Sequence, residues 1–195
     1  MRGSKHENIL LCVTGMPGAG KSLVARIISK EFNLRIISMG DVVREEAKRR
    51  GIPQDMSSMM KFAEELRIKY GDDIVAKLTL DYIRRKGYEG ILVIDGVRSL
   101  SEIKTFNNYG KVLIIAVHAS PKVRFKRLKS RGRRDDPKVW SEFASRDMKE
   151  LRFGIGNVIA LADVMIVNEG KDLDRLKDEV VSKIREVLKD VYVKS

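Results

Sequence analysis

Gly15-Met16-Pro17-Gly18-Ala19-Gly20-Lys21-Ser22 is the stretch that decides the fold. Its glycine spacing, closed by Lys-Ser, is that of a phosphate-binding loop. The six residues before it, Ile9 to Thr14, are an apolar run that suits a strand buried on both faces. After it, Leu23, Val24, Ile27 and Ile28 recur at helical spacing, and Phe32 with Asn33 closes that segment. Strand, glycine loop and helix in that order are the setting the motif requires. The glycines let the backbone curl so that successive N–H groups point at phosphate oxygens, and the helix beginning near Gly20 adds its positive end. Residues 15 to 22 are therefore expected to bind a nucleoside triphosphate, with Lys21 reaching the outer phosphates and the Ser22 hydroxyl on magnesium.

Working outward, Arg35 to Ser38, Ile91 to Ile94, Val112 to Val117 and Val164 to Val167 read as four further short strands. Helical patterns lie between them. Asp41 is expected to cap a helix through about Arg50, stopped by Gly51 and Pro53. Met56 to Lys69 follows, and then a helix with Ile74, Leu78 and Tyr82 on one face, ending at Gly87. Ser99 to Asn108 reads as helical, and Pro121 opens a basic helix. A polar hinge from Gly132 to Pro137 leads into another helix, and the last runs from Asp172 to about Asp190. Strands alternating with helices predict an α/β fold: a five-stranded parallel sheet with helices on both faces, in one domain over residues 1–195. The third strand ends in Asp95, placed to hold the magnesium shell. Its other reading is a turn residue before Gly96, and the phosphate loop favours the metal.

The composition fits an ordinary folded domain, and no apolar run approaches the roughly 18 residues a membrane helix needs. Cys12 is alone and lies in an apolar stretch, so a reducing, cytoplasmic setting is expected. Met1 to Lys5 resemble the start of an expression vector product and are set aside. The formal charge of +12 is concentrated: eight of the thirteen residues from Lys122 to Arg134 are Lys or Arg. A concentrated patch implies a concentrated anion. Moving a phosphoryl group between phosphates gathers several negative charges, which planar guanidinium groups suit. Arg44, Arg98, Arg124, Arg127, Arg131, Arg133 and Arg134 are the candidates. A solvated basic face remains the other reading of the run.

On these residues the chain resembles the nucleoside monophosphate kinases, especially adenylate kinase, and is similar also to dephospho-coenzyme A kinase. Ser38-Met39-Gly40-Asp41-Val42-Val43-Arg44 looks like the acceptor-binding segment of adenylate kinases. Asp95-Gly96-Val97-Arg98 resembles a second segment of theirs, one residue shorter. The resemblance implies that Ser38, Gly40, Asp41, Arg44 and Arg98 bind the acceptor, within helices spanning about 39–88. It implies that Arg127 stacks on the donor base, that Arg131 meets the donor phosphates, and that Arg133-Arg134-Asp135-Asp136 is the far side of a short lid over about 124–146. Arg146 is a further lid candidate. Ala162 to Gly170 looks closer to dephospho-coenzyme A kinases and puts Asn168 beside the donor base. The strand order implied is 2-3-1-4-5.

The activity so implied is transfer of a phosphoryl group from ATP, or GTP, with Mg2+, onto a small phosphorylated nucleotide. A nucleoside monophosphate is the first acceptor and dephospho-coenzyme A the alternative. Lys21, Arg98, Arg131 and Arg133 would carry the catalysis by charge and position, without a general base. A nucleic-acid-binding or regulatory NTPase is the competing class. The basic run holds one aromatic residue, Phe125, rather than the interleaved rings of single-strand binders, so nucleic-acid binding is expected to be weak.

Overall fold

Ile9–Thr14 forms β1 with all six residues buried, because it is the centre of the sheet and both its faces are covered. The computed structural model describes residues 8–133 and 136–193; Met1 to Lys5, Arg134 and Asp135 lie outside them. On one side of β1 lie β3 (Ile91–Asp95) and then β2 (Arg35–Ser38). On the other lie β4 (Lys111–His118) and β5 (Val164–Val167), all parallel, in the order 2-3-1-4-5. The chain leaves β1 toward β2 on one side and leaves β4 toward β5 on the other, so the connections diverge between β1 and β4. Their carboxyl ends flank the crevice where open α/β sheets bind ligands. In register, Val13 pairs with Asp95, and Asp95 pairs with Ser38.

Alternate residues of β1 serve opposite faces, as the period of two requires. Leu10 and Cys12 join one buried cluster, with residues of α2 (Met39–Arg49), α3 (Met56–Tyr70), α4 (Ile74–Lys86) and α5 (Leu100–Asn107). Ile9, Leu11 and Val13 join the other, with α1 (Lys21–Glu31) and α9 (Leu173–Val193). Following β4 in the chain, α6 (Pro121–Arg131) packs on α7 (Trp140–Arg152) through Phe125, Trp140 and Phe143, with ring centroids 5.1 to 5.6 Å apart. Among the described residues no helix is long and apolar enough to cross a membrane.

The structure corrects three local expectations. Ser38, not Asp41, caps α2: its hydroxyl accepts the Asp41 N–H at 3.2 Å, which puts Asp41 inside the first turn, where a carboxylate favours the helix dipole. The buried face of α4 is Val75, Ala76, Thr79, Leu80 and Ile83, while Ile74, Leu78 and Tyr82 are only partly covered, because α4 packs between α2 and α5. Between the hinge and β5 the sequence pattern suggests one helix. The structure has α7 and a separate six-residue α8 (Ile155–Ala160), since Gly154 at φ 92 turns the chain so that Ile155 and Val158 reach the core.

Candidate phosphate-binding site

The glycine loop leaves the carboxyl end of β1 and is pressed against its neighbours. At Gly15, φ is 143 and a Cβ would lie 2.2 Å from the Val117 carbonyl oxygen of β4. At Gly20, φ is 99 and a Cβ would lie 2.1 Å from Asn168 Nδ2. No other residue type fits either position. Gly20 is also the N-cap of α1 and offers no side-chain acceptor, and the first turn has no acid. The first N–H groups of α1 therefore keep their partial positive charge for an external anion.

Lys21 opens that helix and folds back over the loop, donating from Nζ to the Gly15 carbonyl at 2.7 Å and the Met16 carbonyl at 3.3 Å. Burial lowers its pKa to about 8, helped by the positive Arg98 and Arg146 and opposed by Glu150 and Asp95. An ammonium that burial disfavours gains from an anion arriving beside it. Next to it the Ser22 hydroxyl donates to Asp95 Oδ2 at 2.7 Å. Asp95 is buried, and its other oxygen, Oδ1, accepts no hydrogen bond. An orphaned carboxylate oxygen beside a serine hydroxyl and a phosphate loop is a donor set that fits a magnesium ion sharing its shell with phosphate and water. Among the described residues no group of three or more His, Cys, Asp or Glu side chains is placed to hold a metal by itself.

The far wall comes from β5 and α6. Asn168, buried at the end of β5, donates from Nδ2 to the Ala19 carbonyl at 2.8 Å, and its own backbone N–H bonds His118 of β4. Arg127 of α6 donates to the Asn168 carbonyl at 2.8 Å and reaches Ala19 at 3.4 Å. Asn168 and Arg127 are thus together at the outer rim of the loop. Arg124, one turn earlier, is buried and fully committed. It donates to the carbonyls of Ala119 and Pro17 and, through both terminal nitrogens, to Asp147 of α7, while its guanidinium lies 4.9 Å from the Phe143 ring. This arginine of the basic run fastens α7 and α6 to the loop and presents no free edge to a ligand.

Arg131, Arg133 and Arg146 meet at Asp136. Its carboxylate takes a hydrogen bond from Arg131 Nε at 2.9 Å and from the Arg133 backbone N–H at 3.0 Å, with Arg146 Nη1 at 3.7 Å. Burial alone would raise the Asp136 pKa, but these donors hold it below the usual carboxylate range. The Arg133 side chain itself is exposed. On the opposite side of the crevice Ser38, Gly40, Asp41 and Arg44 lie at the β2–α2 junction. Arg44 is paired with Asp41 there, its Nε 3.1 Å from Oδ1, and both side chains are more than half exposed.

Arg98, three residues beyond Asp95, enters a cluster that no sequence motif announces. Its backbone N–H bonds Glu102 at 2.7 Å and its Nε lies 3.7 Å from Glu150 of α7. Arg67 of α3 faces Glu102 at 3.7 Å and covers the Phe153 ring. Glu102 is almost wholly buried, and that burial raises its pKa against the pull of Arg98 and Arg67. The signal for Arg67, Glu102 and Glu150 is charge at positions whose helical neighbours face inward, which becomes specific only once the helices are placed.

A phosphate loop at the switch point of a five-stranded 2-3-1-4-5 sheet defines a kinase-type P-loop fold like that of the nucleoside monophosphate kinases. Solved structures of that fold align along nearly the whole chain. A shikimate kinase from Bacteroides thetaiotaomicron gives a TM-score of 0.59 at 16% identity, covering 93% of this chain and 98% of that one. A gluconokinase from Sinorhizobium meliloti 1021 gives 0.58 at 17%, covering 97% and 98%. The chain belongs to the UPF0200 family: a UPF0200 protein of Thermococcus sibiricus is 53% identical over 166 residues, which cover 83% of this chain and 86% of the relative. Residues 14–144 also match the family model described as an AAA domain.

Proposed function

We propose that this chain is a cytoplasmic, ATP- and Mg2+-dependent phosphotransferase whose acceptor is a small phosphorylated nucleotide. The observation that carries the proposal is the pairing of Ser22 with a buried, half-satisfied Asp95 beside an uncapped helix N-terminus and Lys21. The loop from Gly15 through Gly18 and Gly20 to Ser22, with Met16, Pro17 and Ala19 between, takes the triphosphate of ATP; GTP is the other candidate. Arg127 and Asn168 sit where the donor base leaves the loop. Ser22 and Asp95 would hold magnesium, which neutralises charge on the outer phosphates. The acceptor enters over Ser38, Gly40, Asp41, Arg44 and Arg98, within the helical segment of about 39–88. Arg131 and Arg133, in the segment of about 124–146, close over the donor as a lid. Two acceptors fit this arrangement, a nucleoside monophosphate attacked through its phosphate, and dephospho-coenzyme A attacked through a hydroxyl.

The names of the fold neighbours support the reading, since both are kinases of small molecules, and at 16% and 17% identity they speak to the fold. Phosphoryl transfer here asks the protein for position and charge compensation, and the arginines around the crevice supply it. The test is ADP release from ATP, with and without magnesium, on adding nucleoside monophosphates or dephospho-coenzyme A one at a time. Magnesium-dependent release that rises with one acceptor is expected, as is Arg44→Ala raising the KM of that acceptor about tenfold or more while ATP binding holds. Release that no acceptor stimulates would overturn the proposal.

A further inference from the structure

Glu150 has no role in the transfer as described so far, yet its placement is specific. It is buried, and its Oε2 is, with Asp95 Oδ1, one of two buried side-chain oxygens that accept no hydrogen bond among the described residues. The nearest cation, Arg98 Nε, is 3.7 Å away, an ion pair too long to be a hydrogen bond. Leaving a buried carboxylate oxygen without a protein hydrogen bond costs stability, so the geometry calls for a donor that arrives from outside.

The position of α7 shows where that donor would come from. Arg124 bonds Pro17 of the loop at 3.1 Å and Asp147 of α7 at 2.8 Å, which ties this helix to the loop. Glu150 follows Asp147 by three residues and Arg146 by four, so all three share the side of α7 that faces the loop. Lys21 senses Arg98, Glu150, Asp95 and Arg146 together, which gathers these charges around the end of the phosphate loop. A phosphate acceptor is a poor fit to this carboxylate. It is already ionised near neutral pH, has no proton to give, and is repelled by a second anion beside Asp95.

We propose that Glu150 is the general base of the reaction and that the group attacked onto the γ-phosphorus is a hydroxyl of the acceptor. The inference rests on the phosphotransferase reading above and chooses between its two acceptor chemistries. The hydroxyl oxygen bonds to the γ-phosphorus, the bond from that phosphorus to the β–γ bridging oxygen breaks, ADP leaves, and the hydroxyl proton passes to Glu150 Oε2. Arg98, beside Glu150, holds the phosphate that the acceptor already carries, so the acceptor presents an anion to the arginine and a hydroxyl to the carboxylate. The product is a phosphomonoester and not a phosphoanhydride.

The experiment follows radiolabel from the γ-position of ATP, using the full chain with magnesium and, in separate arms, AMP, CMP, GMP, UMP and dephospho-coenzyme A. Hot acid releases phosphate from an anhydride and spares an ester. Acid-stable label in the dephospho-coenzyme A arm is expected. Glu150→Gln is expected to lower kcat in that arm about a hundredfold or more, with the acceptor KM and ATP binding within about threefold. Glu150→Asp should recover part of the rate, which a purely structural loss would not allow. ATP binding by each variant reports folding. Acid-labile label in a monophosphate arm, unaffected or increased by Glu150→Gln, overturns the proposal and leaves the phosphotransferase reading standing. No label in any arm, with ATP bound, overturns both. Acid-stable label whose rate Glu150→Gln leaves unchanged overturns the role of Glu150 alone.

Discussion

Raising the pH from 7 to 9 should weaken ATP binding, and Lys21 sets the amount. In the free protein its pKa is lowered to about 8, chiefly by burial, with Arg98 adding to the effect. The ammonium then lies against the Gly15 and Met16 carbonyls, and no carboxylate among the described residues pairs with it. Triphosphate in the loop puts anionic oxygens beside it and favours the charged form, so the pKa rises on binding. Below pH 8 the free protein already holds the proton and binding costs nothing extra; above it, binding must take a proton up. With a pKa of about 8 the free lysine is about nine-tenths protonated at pH 7 and about one-tenth at pH 9, so the affinity should fall about tenfold, or about 1.4 kcal/mol. The terminal phosphate, with its last pKa near 6, is largely ionised throughout and adds little. Titration calorimetry at pH 9 in two buffers of different ionisation enthalpy should show about 0.9 proton taken up per ATP bound. Lys21→Met should bind ATP more weakly and show neither the slope nor the uptake. An affinity that stays flat from pH 7 to 9, or that falls equally in Lys21→Met, would refute the reasoning.

Two further substitutions test the frame around the site. Gly20→Ala places a methyl group 2.1 Å from Asn168 Nδ2 at φ 99, and is expected to cost about 1 to 3 kcal/mol in urea unfolding and to abolish tight ATP binding; wild-type binding would show that the loop can yield there. Arg124→Ala removes the buried guanidinium from the partly buried Asp147 carboxylate and releases Pro17, with an expected loss of about 2 to 3 kcal/mol, and Arg124→Lys should recover little because it lacks the bidentate fork. A loss below about 1 kcal/mol would mean that α7 is held to the loop by its aromatic contacts alone.

Much of the fold was legible because its signals are local. The five strands follow from short apolar runs, and the loop from eight consecutive residues whose meaning depends only on the strand before and the helix after. Asp95 was legible as the end of such a run, and the structure places it against Ser22. Asn168 and Arg127 came from the family resemblance, and the structure sets both at the rim of the loop. Arg124 was not separable from its basic neighbours. Three arginines of one helix, Arg124, Arg127 and Arg131, look alike in sequence, and only the position of Asp147, 23 residues on, marks the first as buried and committed. The cap of α2 was misplaced for a similar reason: Ser38 ends a strand, and its hydroxyl becomes a cap only when the turn directly follows.

The sequence by itself determined the five strands and most of the helices between them, the phosphate loop and the chemistry of its lysine and serine, since each depends on residues within a few positions of one another. The tertiary structure decided which polar atoms are left wanting. Asp95 Oδ1 and Glu150 Oε2 are unsatisfied because of what β1, β3, α1 and α7 bring around them, and the same packing buries Lys21 and lowers its pKa to about 8. Desolvation and charge coupling are properties of neighbours in space, contributed here by elements more than a hundred residues apart, and no local pattern in the chain encodes them.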